Sequence, residues 1–153
     1  MIIGIDPGLT GAVCYMSGQS IILEDMPLCG KEIDIVMLFS RLSHSDHIYI
    51  EQLGIRPRQK GVQTMIRNWQ RIEDAAILSG SSVEIVPPKV WQKGIVPSTA
   101  QGNRKAVISA YCNYARKKYP QAVLIPKGKK VVQDGRAAAL CICDWALRER
   151  GQA

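Results

Sequence analysis

The chain has 153 residues, of which 46% are hydrophobic and 22% charged, and its formal net charge is +7. These proportions fit one ordinary globular domain over residues 1–153 and exclude a disordered chain. The basic excess favours a polyanionic partner such as nucleic acid, although a merely basic protein would show the same total.

The cysteines and the apolar segments restrict the class of protein further. There are five cysteines, an odd number, and no two of them form a C-x-x-C pair, so neither a disulfide framework nor a zinc site is predicted. Asp6 interrupts the apolar start that a signal peptide would need, and no apolar run is long enough to span a bilayer. We therefore expect a cytoplasmic protein with no membrane partner.

The first part of the chain predicts three antiparallel strands, then a helix and a fourth strand. Apolar and β-branched residues form short runs over 1–5, 11–16 and 20–24, and an Asp-Pro-Gly sequence breaks the chain after the first run. Apolar residues at helical spacing predict a helix over 31–43. The segment His47–Glu51 is typical of a short strand and ends in an acid.

The rest of the chain alternates between helical and strand patterns. The predicted elements are a helix over 62–79, a strand over 83–86, a helical turn over 89–93, a basic helix over 103–119 and a last helix over 134–150. Residues 94–102 contain a proline and small polar residues, so we expect them to be mobile, and we expect a loop over 121–130. The alternation predicts an α/β fold in which helices cover both faces of a mixed five-stranded sheet.

Three acids occupy positions that suit a metal site. Asp6 and Glu51 end predicted strands, and Asp134 opens a predicted helix. In such sheets, sites form beyond the carboxyl ends of the strands, and Mg²⁺ prefers carboxylate oxygens. Taken singly, Asp6 could make a turn, Glu51 could be an exposed strand-end charge, and Asp134 could cap a helix. Only the three together indicate metal-assisted phosphodiester hydrolysis.

Four sequence motifs carry a resemblance to a known family. Gly4–Gly11 (GIDPGLTG), Ile48–Gln52 (IYIEQ), Val86–Lys93 (VPPKVWQK) and Asp134–Leu140 (DGRAAAL) follow one another along nearly the whole chain. In this order they resemble the motifs of RuvC-like Holliday junction resolvases, phage-type members in particular, within the RNase H-like superfamily.

The resemblance implies a fold, a reaction and partners. It implies an RNase H-like fold, a homodimer, a Mg²⁺ or Mn²⁺ cofactor, and nicking of DNA at four-way junctions or other branch points in the nucleoid of a bacterial or phage-infected cell. It also implies that Asp6, Glu51 and Asp134 bind the metal and that Lys105 lies near the scissile phosphate. The apolar helix over 62–79 is the predicted dimer interface, unless it is buried within the monomer.

Two positions depart from the family pattern. Ala138 stands where the family usually has an acid, on the same helical face as Asp134, which is four residues earlier. We therefore hypothesise a cleavage-impaired protein, through natural divergence or deliberate substitution, unless Asp134 suffices. Gly54 stands where bacterial resolvases often have an aromatic residue, so Leu53 or Ile55 would have to open the junction.

Cations surround each of the predicted acids. They are expected to contact phosphates, which supplies affinity and register rather than base recognition. A solvated charged face is the alternative, and one of these cations, in the last motif, could instead pair with Asp134. The predicted DNA contacts are Arg56, Arg58, Lys60, Arg67, Arg71, Lys89, Lys93, Arg104, Lys129, Lys130 and Arg136.

Three other functions compete with a junction nuclease. A protein of the same fold that binds branched DNA without cutting it is consistent with Ala138. An RNA-processing RNase H-like protein would share the first motif. A sugar-kinase or actin-like ATPase domain would need a second phosphate loop, which the chain lacks.

Overall fold

A computed structural model describes residues 1–43, 45–55 and 60–151. The strands are β1 Ile2–Asp6, β2 Ala12–Ser17, β3 Ser20–Asp25, β4 Leu28–Cys29, β5 Glu32–Ile33, β6 His47–Glu51 and β7 Ser82–Val86. The helices are α1 Ile35–Leu42, α2 Val62–Leu78, α3 Pro88–Trp91, α4 Arg104–Lys118 and α5 Asp134–Glu149, with a 3₁₀ turn at Ser98–Ala100. Within the described residues, no helix is both long and apolar enough to cross a membrane.

The main sheet has five strands in the order β3-β2-β1-β6-β7. The first three strands in the chain pair antiparallel, whereas β6 pairs parallel to β1, and β7 pairs parallel to β6. The predicted mixed five-stranded sheet is confirmed. Because β6 runs parallel to the central strand β1, the carboxyl ends of the two strands lie side by side at the same edge of the sheet.

Helices cover both faces of this sheet, as predicted. Side chains alternate between the faces along a strand. One face packs against α1 and α2, and its core includes Ile3, Ile5, Ile48, Ile50, Leu38, Leu42 and Ile72. The other face packs against α4 and α5, and its core includes Ile2, Cys14, Tyr49, Tyr111, Ala139 and Ile142.

Helix α5 lies unusually close to β1. A Cβ atom on Gly4 would stand 2.5 Å from the carbonyl oxygen of Ala139, a separation that real Cβ contacts do not reach. The helix supplies small residues at this crossing, Ala137, Ala138 and Ala139, all of them buried. Small side chains on both elements therefore allow the close approach, and α5 becomes the central helix of its face.

A buried carboxylate holds α4 against α5. Asp144 is 1% exposed, and it accepts hydrogen bonds from Tyr114, Lys118 and Tyr119 of α4 and its C-terminal end. Burial alone would raise the pKa of Asp144, but these hydrogen bonds outweigh it and hold the pKa below its usual value. The charged network therefore fixes the position of α4 relative to α5.

The predicted helix over 31–43 was wrong in its first turn. Leu28–Cys29 pairs with Glu32–Ile33 in a small antiparallel hairpin, turned by Gly30 at a positive φ of 64°. The helix begins after Asp34, whose Oδ1 accepts a hydrogen bond from the backbone N–H of Met37 at 2.9 Å. This N-cap sets the start of the helix, a signal that apolar periodicity does not contain.

Residues 94–102, which we expected to be mobile, include three apolar residues that pack against the core. Ile95, Val96 and Ala100 are each less than a tenth exposed, and they join the cluster on the α5 side. The proline and small polar residues that suggested mobility form the 3₁₀ turn between these apolar anchors. These apolar contacts anchor the segment at three points, and its mobility stays a prediction.

Replacing Gly4 with alanine tests the close approach of α5 to β1. The added methyl group would press on the Ala139 carbonyl, so we expect Gly4→Ala to lower the free energy of unfolding by about 1–3 kcal/mol. Gly54→Ala is the control, because a Cβ there meets no atom within 4 Å. Urea unfolding measures both. Equal stability of the two variants would contradict the packing described.

Candidate metal centre and nucleic-acid cleft

Asp6 and Glu51 lie side by side at one edge of the sheet. Ile5 of β1 is in register with Ile50 of β6, and the two acids follow them as the last residues of parallel strands about 5 Å apart. Strand alternation turns both carboxylates to the face that α5 covers. The central pair of parallel strands therefore supplies two neighbouring acids.

Asp134 joins this pair because α5 begins against the turn after β1. A Cβ on Gly135 would lie 2.9 Å from Oδ2 of Asp6 and 2.6 Å from the carbonyl oxygen of Thr10. Only glycine fits this contact, which seats the first turn of α5 directly over the Asp6 side chain. Asp134, the first residue of α5, is thus held at the mouth of the same site.

All three acids line one cleft of about 1010 Å³. Its walls come from the edge of the sheet, from α3, and from the first turns of α4 and α5. Besides the acids, the lining includes Gln52, Trp91, Gln92, Arg104, Val107, Tyr111 and Ala138. The cleft therefore combines carboxylates with a cation and several hydrogen-bond donors, at a size that suits a nucleic-acid strand better than a metal ion alone.

Burial raises the pKa of two carboxyl groups in this cleft, Asp6 and Glu51. The pKa of Asp6 lies well above its usual value, first because the group is buried, and then because of the charges of Glu51 and Asp134. Burial also raises the pKa of Glu51 to about 7, and the indole of Trp91 opposes that rise. Such crowding of negative charge is what a divalent cation would relieve.

The donor chemistry of the cleft fits Mg²⁺ or Mn²⁺. Carboxylate oxygens are the ligands that these ions prefer, and Mg²⁺ usually takes one or two carboxylates and keeps several waters. As the side chains stand, the described residues contain no three His, Cys, Asp or Glu residues gathered closely enough to surround one ion.

Ala138 faces this cleft, one turn after Asp134. The residue is 3% exposed, and its methyl group adds no oxygen to the site. An acid there would point at the same space as Asp134, as the spacing of the two residues predicted. The departure from the family pattern therefore falls inside the site.

The start of α4 contributes a cation, but not the one that the resemblance selected. Both side chains are exposed, but Arg104 lines the cleft and Lys105 is not among the described residues that line it. Asn103 caps the helix by accepting a hydrogen bond from the N–H of Ala106 at 3.2 Å, which orients this first turn. Arg104 is consequently the better placed of the two to meet a phosphate in the cleft.

Three predicted DNA contacts are engaged within the protein. Arg67 and Arg71 form ion pairs with Glu32 at 3.3 and 2.7 Å, and Arg71 also donates to the carbonyl of Ile33. Arg136 is buried and donates to Asp25 and to the carbonyls of Leu23 and Val123. These contacts join α2 to the small hairpin, and α5 to β3. Arg136 is buried, whereas the Arg67 side chain is 64% exposed, and phosphate binding by these arginines stays a prediction.

The other predicted contacts are open to solvent or lie outside the described residues. Arg56 and Arg58 fall among residues 56–59, which the structure does not describe. The exposed cations are Lys60, Lys89, Lys93, Lys129 and Lys130. Lys60 also lines a second, smaller cavity of about 390 Å³ between α2 and the turn after β1.

Sequence analysis missed Tyr111 as a residue of the site. Tyr111 packs edge-on against Trp91, with ring centroids 5.6 Å apart, and both rings line the cleft. Burial, followed by the charges of Asp134 and Asp6, raises the pKa of Tyr111, so its hydroxyl stays protonated as a donor. The sequence pattern of α4 could not distinguish Tyr111 from a core residue, because the apolar face of this helix contacts both the core and the cleft.

Comparison with known proteins establishes the fold. No family model and no curated protein matches the chain. Among solved structures, Thermus thermophilus RuvC in complex with a Holliday junction substrate is similar, with a TM-score of 0.61, 14% identity, and coverage of 99% of this chain and 96% of that one.

One eukaryotic protein and one viral protein have the same fold. The yeast mitochondrial Holliday junction resolvase Ydc2 has a TM-score of 0.62 at 13% identity, covering 99% of this chain and 79% of that one. The fowlpox virus resolvase, solved with Holliday junction DNA, has a TM-score of 0.56 at 15% identity, with coverage of 97% and 99%. The chain therefore has the RNase H-like fold that the RuvC-like resolvases share.

Replacing Glu51 with glutamine should stabilise the metal-free protein at alkaline pH. Burial raises the pKa of Glu51 from 4.5 to about 7, so its contribution to stability is greatest below pH 4.5 and is lost as the pH rises through 7. We expect Glu51→Gln to gain on the order of 2–3 kcal/mol over wild type at pH 8 in EDTA, and little at pH 5.

Glu84→Gln, an exposed change on the neighbouring β7, is the matched control and should show no such pH dependence. Chemical unfolding at the two pH values measures all three proteins. A Glu51→Gln variant that is less stable than wild type at pH 8 would contradict the electrostatic account.

Proposed function

We propose that this protein is a metal-dependent endonuclease that nicks DNA at four-way junctions or other branch points. The observation that carries the proposal is the meeting of Asp6, Glu51 and Asp134 in one cleft at the carboxyl ends of two central parallel strands. The fold agrees with it, because it is shared with resolvases that were solved with junction DNA.

The residues of the cleft divide into metal ligands and phosphate contacts. Asp6, Glu51 and Asp134 would hold Mg²⁺ or Mn²⁺, and ions bound there would activate the attacking water and stabilise the leaving oxygen. Arg104, an exposed cation that lines the cleft, would contact the phosphate there. The exposed cations around the cleft would hold the DNA arms by their phosphates: Lys60, Lys89, Lys93, Lys105, Lys129 and Lys130.

Ala138 supports a more specific version of this proposal, in which cleavage is impaired. Its methyl group faces the cleft where an acid would add an oxygen ligand. The second candidate function, a branched-DNA-binding protein of the same fold that does not cut, rests on this same observation. Junction binding is expected under both functions, so only cleavage separates them.

Cleavage of a synthetic four-way junction tests the proposal. With a labelled junction and Mg²⁺, we expect slow nicking by the wild-type protein and a rate at least about tenfold higher for Ala138→Asp, since the added carboxylate supplies a ligand. Asp6→Asn should abolish nicking in both backgrounds. Asp74→Asn, an exposed acid on α2, is the matched control and should leave the rate unchanged.

The outcomes separate the candidates. Nicking that appears only in Ala138→Asp would favour the non-cleaving binding protein for the natural chain. Equal rates with Ala138 and with Asp at position 138 would defeat the proposal of impairment. Nicking that persists in Asp6→Asn would contradict the site itself.

The homodimer and the cellular location stay proposals. In α2, the predicted interface helix, Ile72 is fully buried inside the monomer, whereas Met65, Ile66 and Trp69 are half-buried. Two copies related by a twofold axis would present two clefts to opposite strands of a junction, and the protein's mass in solution would test this. Action on cellular DNA would place the protein in the cytoplasm, at the nucleoid.

A further inference from the structure

The indole of Trp91 has an unused donor inside the cleft. The side chain is 1% exposed, and its Nε1 has no hydrogen-bond partner among the described residues. A buried donor left unpaired costs about 1–3 kcal/mol, so such groups are rare and call for a physical reason. The ring itself is well placed in the core, which leaves only the N–H without a structural role.

The chain holds this ring rigidly with respect to Glu51. Val86, the last residue of β7, is in register with Glu51 of β6, and its carbonyl accepts a hydrogen bond from the N–H of Gln52 at 2.9 Å. The two prolines that follow β7 start α3 at once, and α3 ends at Trp91. Tyr111 packs edge-on against the ring from α4. Strand pairing and ring packing thus place the indole and the acid in the walls of the same cleft.

Trp91 and Glu51 line the same cleft, so the indole donor shares this space with the Glu51 carboxylate. Nε1 lies buried at the wall of this cleft with no described acceptor in hydrogen-bond range. The indole also opposes the rise that burial causes in the pKa of Glu51, as a donor near that carboxylate would. On the other side of the strand end, the backbone carbonyl of Glu51 accepts a hydrogen bond from Nε1 of Trp69 at 3.0 Å. One tryptophan therefore fixes the backbone of Glu51 while a second faces its side chain.

We propose that Trp91 is a positioning residue for Glu51, and that its indole N–H donates to one carboxylate oxygen and leaves the other oxygen for the metal ion. This inference rests on the proposed function. A donor behind a metal-binding carboxylate fixes its orientation, and the loss of such a partner typically weakens metal binding about 10–100-fold. The alternative is that Trp91 only fills the core, in which case its N–H would have no effect on the metal.

Mn²⁺ binding to the free protein tests the proposal without relying on cleavage. Trp91→Phe removes the N–H and keeps an aromatic ring, so we expect the dissociation constant for Mn²⁺, measured by titration calorimetry, to rise at least about tenfold. Trp145→Phe is the matched control, because Trp145 is also buried and packs edge-on against a tyrosine, yet does not line the cleft. It should leave Mn²⁺ binding within about twofold of wild type.

A double-mutant cycle with Glu51 distinguishes positioning from a general loss of structure. If Trp91 acts through Glu51, Trp91→Phe should change Mn²⁺ affinity less than about twofold in a Glu51→Gln background. Equal losses in both backgrounds, or wild-type affinity in a folded Trp91→Phe variant, would overturn the proposal. Wild-type protein that binds no Mn²⁺ would instead overturn the proposed function, and this inference with it.

A measurement on the unaltered protein keeps the test decisive if Trp91→Phe does not fold. The indole ¹H–¹⁵N resonance of Trp91 should move as Mg²⁺ is added, because Glu51 takes up its metal-binding orientation beside the N–H. The midpoint should equal that of metal binding. A resonance that stays in place while Mg²⁺ binds would refute the role of this donor.

Discussion

The close contact between α5 and β1 is the constraint on which the site depends. Gly4 and Gly135 leave no room for a Cβ atom against Ala139 and Asp6, and this brings the helix onto the central strand along its whole first half. The same contact carries Asp134 to the edge of the sheet where Asp6 and Glu51 end their strands. A larger residue at either glycine would separate the third acid from the other two.

The contact also places negative charge where it is unfavourable for the protein alone. Burial and mutual repulsion raise the pKa of Asp6, and burial raises that of Glu51. Two other buried charges are compensated: Asp144 is paired with Lys118 and two tyrosines, and Arg136 has three acceptors. The uncompensated acids at one edge are thus a local exception, which proteins tolerate where function requires it.

The sequence predicted the sheet, its faces and the positions of the acids, because these follow from strand alternation and from turns at strand ends. It did not predict which cations remain free. Arg67 and Arg71 meet Glu32, and Arg136 meets Asp25, more than thirty and a hundred residues away respectively, and no local pattern encodes such pairs. The buried, unpaired N–H of Trp91 was not predictable for a similar reason, since the surroundings of the ring depend on α4 and on the edge of the sheet together.

A crystal soaked in Mn²⁺ tests the central claim most directly, because anomalous scattering locates the ion without reference to activity. The account predicts Mn²⁺ in the cleft, bound by carboxylate oxygens of Asp6 together with Glu51 or Asp134 and completed by water. Ions found only elsewhere, with these three side chains unligated at saturating Mn²⁺, would contradict it.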